Sequence, residues 1–117
     1  RRIGSRARAE RRSVILVDQR GTGKSNLLSC APPEGDEDAF DASSEAMQAQ
    51  ADKCVEDLSK KADLRFYTTT EAIGDLDAVR AALGVDKLNL IGGSYGTRVA
   101  QQYAARFPQH TRSVVLD

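Results

Sequence analysis

The sequence predicts an α/β fold in which parallel strands are flanked by helices. Three observations lead there. Short apolar runs, Val14-Ile15-Leu16-Val17, Lys87-Leu88-Asn89-Leu90-Ile91 and Ser113-Val114-Val115-Leu116-Asp117, read as strands of the kind buried in a parallel sheet. Helix-forming segments lie between them, which suits right-handed crossover connections. The second run also passes through Gly92-Gly93-Ser94-Tyr95-Gly96 straight into a helical segment, so strand and helix meet at a tight reversal.

Taken in order, Ile3 to Arg12 is rich in Arg and Ala and suits a helix, and it runs into the strand Ser13 to Val17. The loop Asp18-Gln19-Arg20-Gly21-Thr22-Gly23-Lys24-Ser25 follows. Its tail resembles a phosphate-binding loop, in which backbone amides cradle phosphates while Lys and Ser hold phosphate and magnesium. The first glycine of that motif is replaced by Asp18, whose carboxylate repels phosphate, and Asn26 to Pro33 forms helix poorly. These departures disfavour the alternative of a P-loop nucleotide-binding protein, and Lys24 is expected to bind no nucleotide. From Pro32 to Ser44 the chain is a polar, acidic excursion, and Glu45 to Leu64 reads as a helix with Ala46, Met47, Ala49, Ala51, Val55 and Leu58 near its apolar side. Cys30 and Cys54 bracket the excursion, and they either pair as one disulfide or remain two reduced thiols. Their spacing is not that of a metal site.

Thr68-x-x-Glu71 has the form of a capping box. Ile73, Leu76, Val79 and Leu83 recur at helical steps until Gly84, so Thr69 to Leu83 is an amphipathic helix. Asp75 and Asp77 lie two apart, point in different directions on a helix, and read as solvated charges rather than a catalytic pair. The last helix spans Gly96 to Phe107, Pro108 breaks it, and the strand from Ser113 to Asp117 closes the order strand, excursion, helix, strand, helix, strand.

The 117 residues carry 17 basic and 17 acidic side chains, a formal net charge of zero. That balance leaves no overall nucleic-acid footprint. The charge is uneven, since Arg1, Arg2, Arg6, Arg8, Arg11 and Arg12 crowd the start, but this arm holds no aromatic residue and reads as a solvated helix face. No run of roughly twenty apolar residues is available to cross a membrane. The chain begins without Met and stops at the end of an apolar strand, which reads as a fragment of something longer.

The spacing Gly-x-Ser-x-Gly at Gly92, Ser94 and Gly96 is that of a nucleophile elbow, where strand-to-helix reversal lifts a serine hydroxyl above the end of the sheet. The outer glycines are expected because strand and helix pass too closely there for Cβ atoms. The competing reading is a structural glycine-rich turn without chemistry. His110 is the one histidine. A helix rising about 1.5 Å per residue from Tyr95 to Phe107 puts it roughly 20 Å from Ser94, so it reads as a surface loop residue. Asp117 ends a strand beside the Ser94 strand, where some hydrolases carry their acid.

The runs Val14 to Ser25, Asp75 to Arg80 and Gly92-Gly93-Ser94-Tyr95-Gly96-Thr97-Arg98 together resemble the α/β-hydrolase aminopeptidases, in particular tripeptidyl aminopeptidases and proline iminopeptidases. The resemblance covers Ser13 to Asp117. It implies an α/β-hydrolase fold of which strands four to six are present, with Ser94 as nucleophile and the Tyr95 backbone amide as one oxyanion-hole donor. It further implies that the second donor, from a His-Gly-Gly-Pro-Gly-like loop, and the triad acid and histidine lie outside residues 1–117. The implied activity is a serine hydrolase that releases residues or short peptides from peptide N-termini through an acyl-enzyme, with no cofactor and no metal. An esterase or lipase of the same fold and a non-catalytic hydrolase-like binding module remain as alternatives. The protein is expected to be secreted or periplasmic if Cys30 and Cys54 are bridged, and cytoplasmic otherwise.

Overall fold

The structure, a computed structural model, describes residues 12–30 and 43–117. The expected first helix, apart from Arg12, and most of the acidic excursion lie outside the described residues. Helix α1 spans Ser44–Ser59, α2 spans Thr69–Ala82, strand β1 spans Leu88–Gly92, α3 spans Tyr95–Arg106 and β2 spans Thr111–Leu116. β1 and β2 pair in parallel, with Leu90 opposite Val114 and Gly92 opposite Leu116, and α3 is the crossover between them. This is a partial piece of a parallel sheet with flanking helices, as the alternating order implies.

Local chemistry sets the ends. Ser43 caps α1, its hydroxyl oxygen accepting from the Ala46 amide at 3.3 Å. The helix stops at Ser59 rather than at Leu64, because Asp63 turns its carboxylate onto the Arg65 amide at 3.1 Å and folds Leu64–Phe66 into a short 3-10 turn. Thr68 sits at the N-cap of α2 with extended backbone, but its side chain makes no capping bond, so the expected capping box marks the right boundary without closing. Gly84, at φ +69°, ends that region as expected. Pro108 follows Phe107 and opens a second short 3-10 turn that delivers the chain to β2.

The core forms where α2 and α3 pack together. Ala72, Ile73, Ala100 and Tyr103 are buried, Tyr103 completely, and its ring lies 5.2 Å from that of Phe107. α1 behaves differently from its pattern. It buries no residue, and Met47 and Val55 remain more than half exposed. Besides the backbone, the Cys30–Cys54 disulfide ties it to the chain after the Asp18–Ser25 loop, with the two Cα atoms 5.5 Å apart.

A second expectation fails at Val14–Val17, which forms no strand. Leu16 is 92% exposed and none of these residues joins the β1–β2 sheet. β-branched apolar composition favours extended backbone, but a strand exists only when its amides and carbonyls find a ladder partner, and none of the described residues supplies one.

Asp75 and Asp77 also depart from the solvated charges expected of them. Asp77 Oδ1 accepts hydrogen bonds from Arg80 Nε at 2.7 Å and from the Tyr103 hydroxyl at 2.8 Å, and lies 2.8 Å from His110 Nδ1. The carboxyl is held down at about 2, by the Arg80 guanidinium first and then, against the opposing effect of burial, by Tyr103 and His110. Burial, followed by the bond to Asp77, pushes the Tyr103 phenol up to about 12.

A depressed carboxyl stabilises the folded state above its unfolded value, near 3.8, and that contribution disappears as pH falls towards 2. The Tm advantage of the native protein over Asp77→Asn is therefore expected to be full at pH 5 and largely gone at pH 2. Calorimetry of both proteins across that range checks it, and an advantage independent of pH would contradict the ionic role of Asp77.

Candidate active site

β1 ends at Gly92 and α3 begins at Tyr95, leaving Gly93 and Ser94 to reverse the chain. Ser94 makes the turn at φ +49° and ψ −123°, a region L-residues rarely occupy. A Cβ on Gly92 would run into the Gly96 carbonyl group and come within 2.9 Å of the Thr97 nitrogen, so glycine is required there. Gly96 is different. A Cβ at that position meets nothing within 4 Å, so the close approach involves the Gly96 backbone and not its missing side chain.

Hydrogen bonds lock the reversal. Gly96 N–H donates to Gly93 O at 2.8 Å, and both the amide and the hydroxyl of Thr97 donate to Ser94 O, at 3.0 and 2.6 Å. The strand ladder continues one step further, because Asp117 N–H donates to Gly92 O at 2.9 Å and Ser94 N–H donates to Asp117 O at 3.2 Å. Ser94 is exposed at the carboxyl end of the sheet. Beside it, the Tyr95 amide donates to no acceptor among the described residues and lies in the first turn of α3, where the helix dipole favours negative charge. An exposed hydroxyl next to an uncommitted helix-terminal amide is an arrangement suited to attack on a carbonyl and stabilisation of the resulting oxyanion.

The Asp18–Ser25 loop is built to a different plan from a phosphate cradle. Asp18 Oδ2 accepts from the Lys24 amide at 2.9 Å and fills the space against Gly23. A carboxylate thus occupies the loop interior that a phosphate would need. Arg20 anchors the loop to α2 through two bonds to Asp75, Nε to Oδ2 at 2.6 Å and Nη2 to Oδ1 at 2.5 Å, and a third to Phe66 O at 2.8 Å. The Arg20 hydrogen bond is the main cause holding the Asp75 carboxyl below its usual range. Gly21, at φ +80°, lies so close to Tyr67 that a Cβ would reach 2.9 Å from its ring. Tyr67 precedes Thr68 and Thr69, and the Thr69 hydroxyl meets the Tyr95 hydroxyl at 2.5 Å.

The other sequence candidates separate. His110 is bound to Asp77 and stacks on Phe107, beyond the far end of α3 from Ser94. It is partly buried in that cluster rather than lying free in a surface loop. The Asp117 main chain adjoins Ser94, but among the described residues no hydrogen bond joins the Ser94 hydroxyl, the Asp117 carboxylate and the His110 ring. Among the described residues no cluster of three His, Cys, Asp or Glu side chains is arranged for a metal, and no helix is long and apolar enough to cross a membrane.

A family model described as alpha/beta hydrolase fold matches residues 3–117. The chain belongs to the α/β-hydrolase family. Among relatives, it is 36% identical over 115 residues to a tripeptidyl aminopeptidase of Streptomyces lividans, covering 88% of this chain and 21% of that protein. It is 48% identical over 65 residues to the serine protease Hip1 of Mycobacterium tuberculosis, covering 56% of this chain and 12% of the relative. A proline iminopeptidase of Neisseria gonorrhoeae is 26% identical over 103 residues, 88% of this chain and 23% of the relative. The chain thus spans a quarter or less of the length of these relatives. As an α/β-hydrolase, it accounts for the glycine-bounded reversal at Ser94 and for the parallel β1–α3–β2 unit on which that reversal is mounted.

Sequence reasoning missed two features of the site's surroundings. The Asp77 cluster had a local signal, Asp77 and Arg80 three apart on one helix face. The Thr69–Tyr95 contact had none, because its partners are 26 residues apart and meet only through the packing of α2 against α3.

Proposed function

We propose that residues 1–117 are the central piece of a serine peptidase catalytic domain, in which Ser94 attacks a peptide carbonyl and is acylated, and the Tyr95 amide holds the oxyanion. The observation that carries this reading is the exposed Ser94 at positive φ beside the uncommitted Tyr95 amide. The likeness to a tripeptidyl aminopeptidase, a proline iminopeptidase and a serine protease favours peptide substrates over simple esters, and the first two favour attack near the amino terminus. On this reading the base and acid come from sequence beyond residues 1–117, since the chain's one histidine is committed to Asp77. In the established order for such sites, Ser is followed by the acid and then by His. The histidine takes the Ser94 proton as the acyl-enzyme forms and returns it to the leaving amine, and water then releases the acyl group.

The test is covalent labelling. A fluorophosphonate applied to the full-length protein is expected to modify Ser94, located by peptide mass spectrometry. An adduct on another residue, with Ser94 unmodified, would reject the assignment.

The disulfide supports an oxidising location, secreted or periplasmic. Closing a loop of this length contributes about 3 kcal/mol in the chain-entropy model. Non-reducing peptide mapping of protein recovered from its native compartment is expected to return Cys30 and Cys54 in one linked pair. Two free thiols would argue for the cytoplasm.

A further inference from the structure

Tyr95 makes two contributions to the elbow. Its amide, in the first turn of α3 and next to the exposed Ser94, donates to no acceptor among the described residues, while its phenol meets the Thr69 hydroxyl at the start of α2 at 2.5 Å. Half of the tyrosine remains exposed, so burial alone does not fix its position, and the hydroxyl pair is the one polar contact its side chain makes among the described residues. Thr69 is itself firmly placed. Two residues earlier, Tyr67 packs on Gly21, and Phe66 O accepts from Arg20, which also clamps Asp75 further along α2. The next residue, Thr70, has its carbonyl held by Arg106 Nη1 at 3.1 Å, from the opposite end of α3.

We infer that Thr69 is a positioning residue for catalysis: through its hydroxyl contact with Tyr95 it fixes the first turn of α3, and with it the direction of the Tyr95 amide toward the oxyanion. The inference rests on the proposed role of Ser94. The elbow backbone is strained at Ser94, and a strained turn relaxes unless its flanks are held. On the strand side the hold is the ladder to Asp117, and on the helix side the Thr69–Tyr95 pair supplies a fixed point outside the turn itself. An amide that rotates away from the developing charge loses stabilisation in the transition state while leaving substrate binding nearly intact. The consequence therefore falls on kcat and on the rate of acylation by a small phosphonate, not on KM.

The experiment is a double-mutant cycle in the full-length protein, with Tyr95→Phe, Thr69→Val and their combination, alongside Thr69→Ser. Readouts are the second-order rate of fluorophosphonate labelling at Ser94, kcat and KM for a peptide p-nitroanilide, and Tm. A displaced oxyanion donor is expected to slow labelling and kcat about tenfold in each single variant, within the range that small misplacements of reacting groups produce. The double variant is expected to be no slower than either single one, since all three remove the same contact. KM should stay within about twofold, and Thr69→Ser, which keeps the hydroxyl, should recover most of the rate. Effects that multiply in the double variant, or that lower Tm while labelling proceeds at the native rate, would overturn the inference. Failure of native protein to label at Ser94 would instead reject the proposed function, so the two failures are distinguishable.

Discussion

Ser94→Ala in the full-length protein is expected to lower kcat for peptide substrates by at least about 10⁴-fold with KM changed little, because nucleophile and base act as a unit and loss of either forfeits covalent catalysis. The expectation rests on geometry as well as on residue type. Ser94 sits at φ +49°, with its amide tied to Asp117 O and its carbonyl tied twice to Thr97, so a Cβ at this position already points where the hydroxyl does. Alanine fits the same backbone as serine, and the variant should fold with an unchanged Tm. Any loss of rate then belongs to the hydroxyl. Some catalysis above water should survive, since an oxyanion donor and substrate binding still act on a water nucleophile. Full peptidase turnover in the variant would remove Ser94 from the chemistry.

Much of this architecture is legible in the sequence because it is written locally. β1, α3 and β2 lie within one or two residues of their expected bounds, since each has an apolar run or helical period and a stop signal of its own, Gly84 before β1 and Pro108 after α3. What the sequence hides is non-local. Val14–Val17 carries every compositional mark of a strand, yet strand formation depends on a partner the composition does not name. Asp77 looked like one of two surface acids until helix packing brought Tyr103 and His110 onto the same oxygen, from 26 and 33 residues away. The same packing gives His110 a structural partner, so a lone histidine in a chain with a serine elbow need not act as that serine's base. At the elbow the pattern placed the strand-to-helix reversal at Ser94, but it assigned the wrong reason to Gly96, whose backbone rather than missing side chain crowds Gly92.

Residues 1–117 expressed alone are expected to hydrolyse neither peptide p-nitroanilides nor p-nitrophenyl esters at a rate above their own Ser94→Ala variant. An unactivated serine hydroxyl is a weak nucleophile at neutral pH, and a general base must stand within about 3 Å of it. The chain's single histidine is held by Asp77 past the end of α3, and twelve helical residues at about 1.5 Å each separate the two ends of that helix. On the proposed reading the second oxyanion donor comes from the rest of the protein, and its absence would withdraw about 2.7–4 kcal/mol of transition-state stabilisation in addition. The exposed apolar surface works in the same direction. Ile91 is 61% exposed on β1, and the side chains of Val14 to Val17 are exposed too, Leu16 at 92%, and such apolar surface invites association between copies when the chain is isolated. Turnover of the fragment and of its Ser94→Ala variant, measured side by side on both chromogenic substrates, decides the matter. A rate clearly above the variant's would mean that a group inside these residues activates Ser94, and Asp117, whose main chain already lies against the elbow, would be the first to replace.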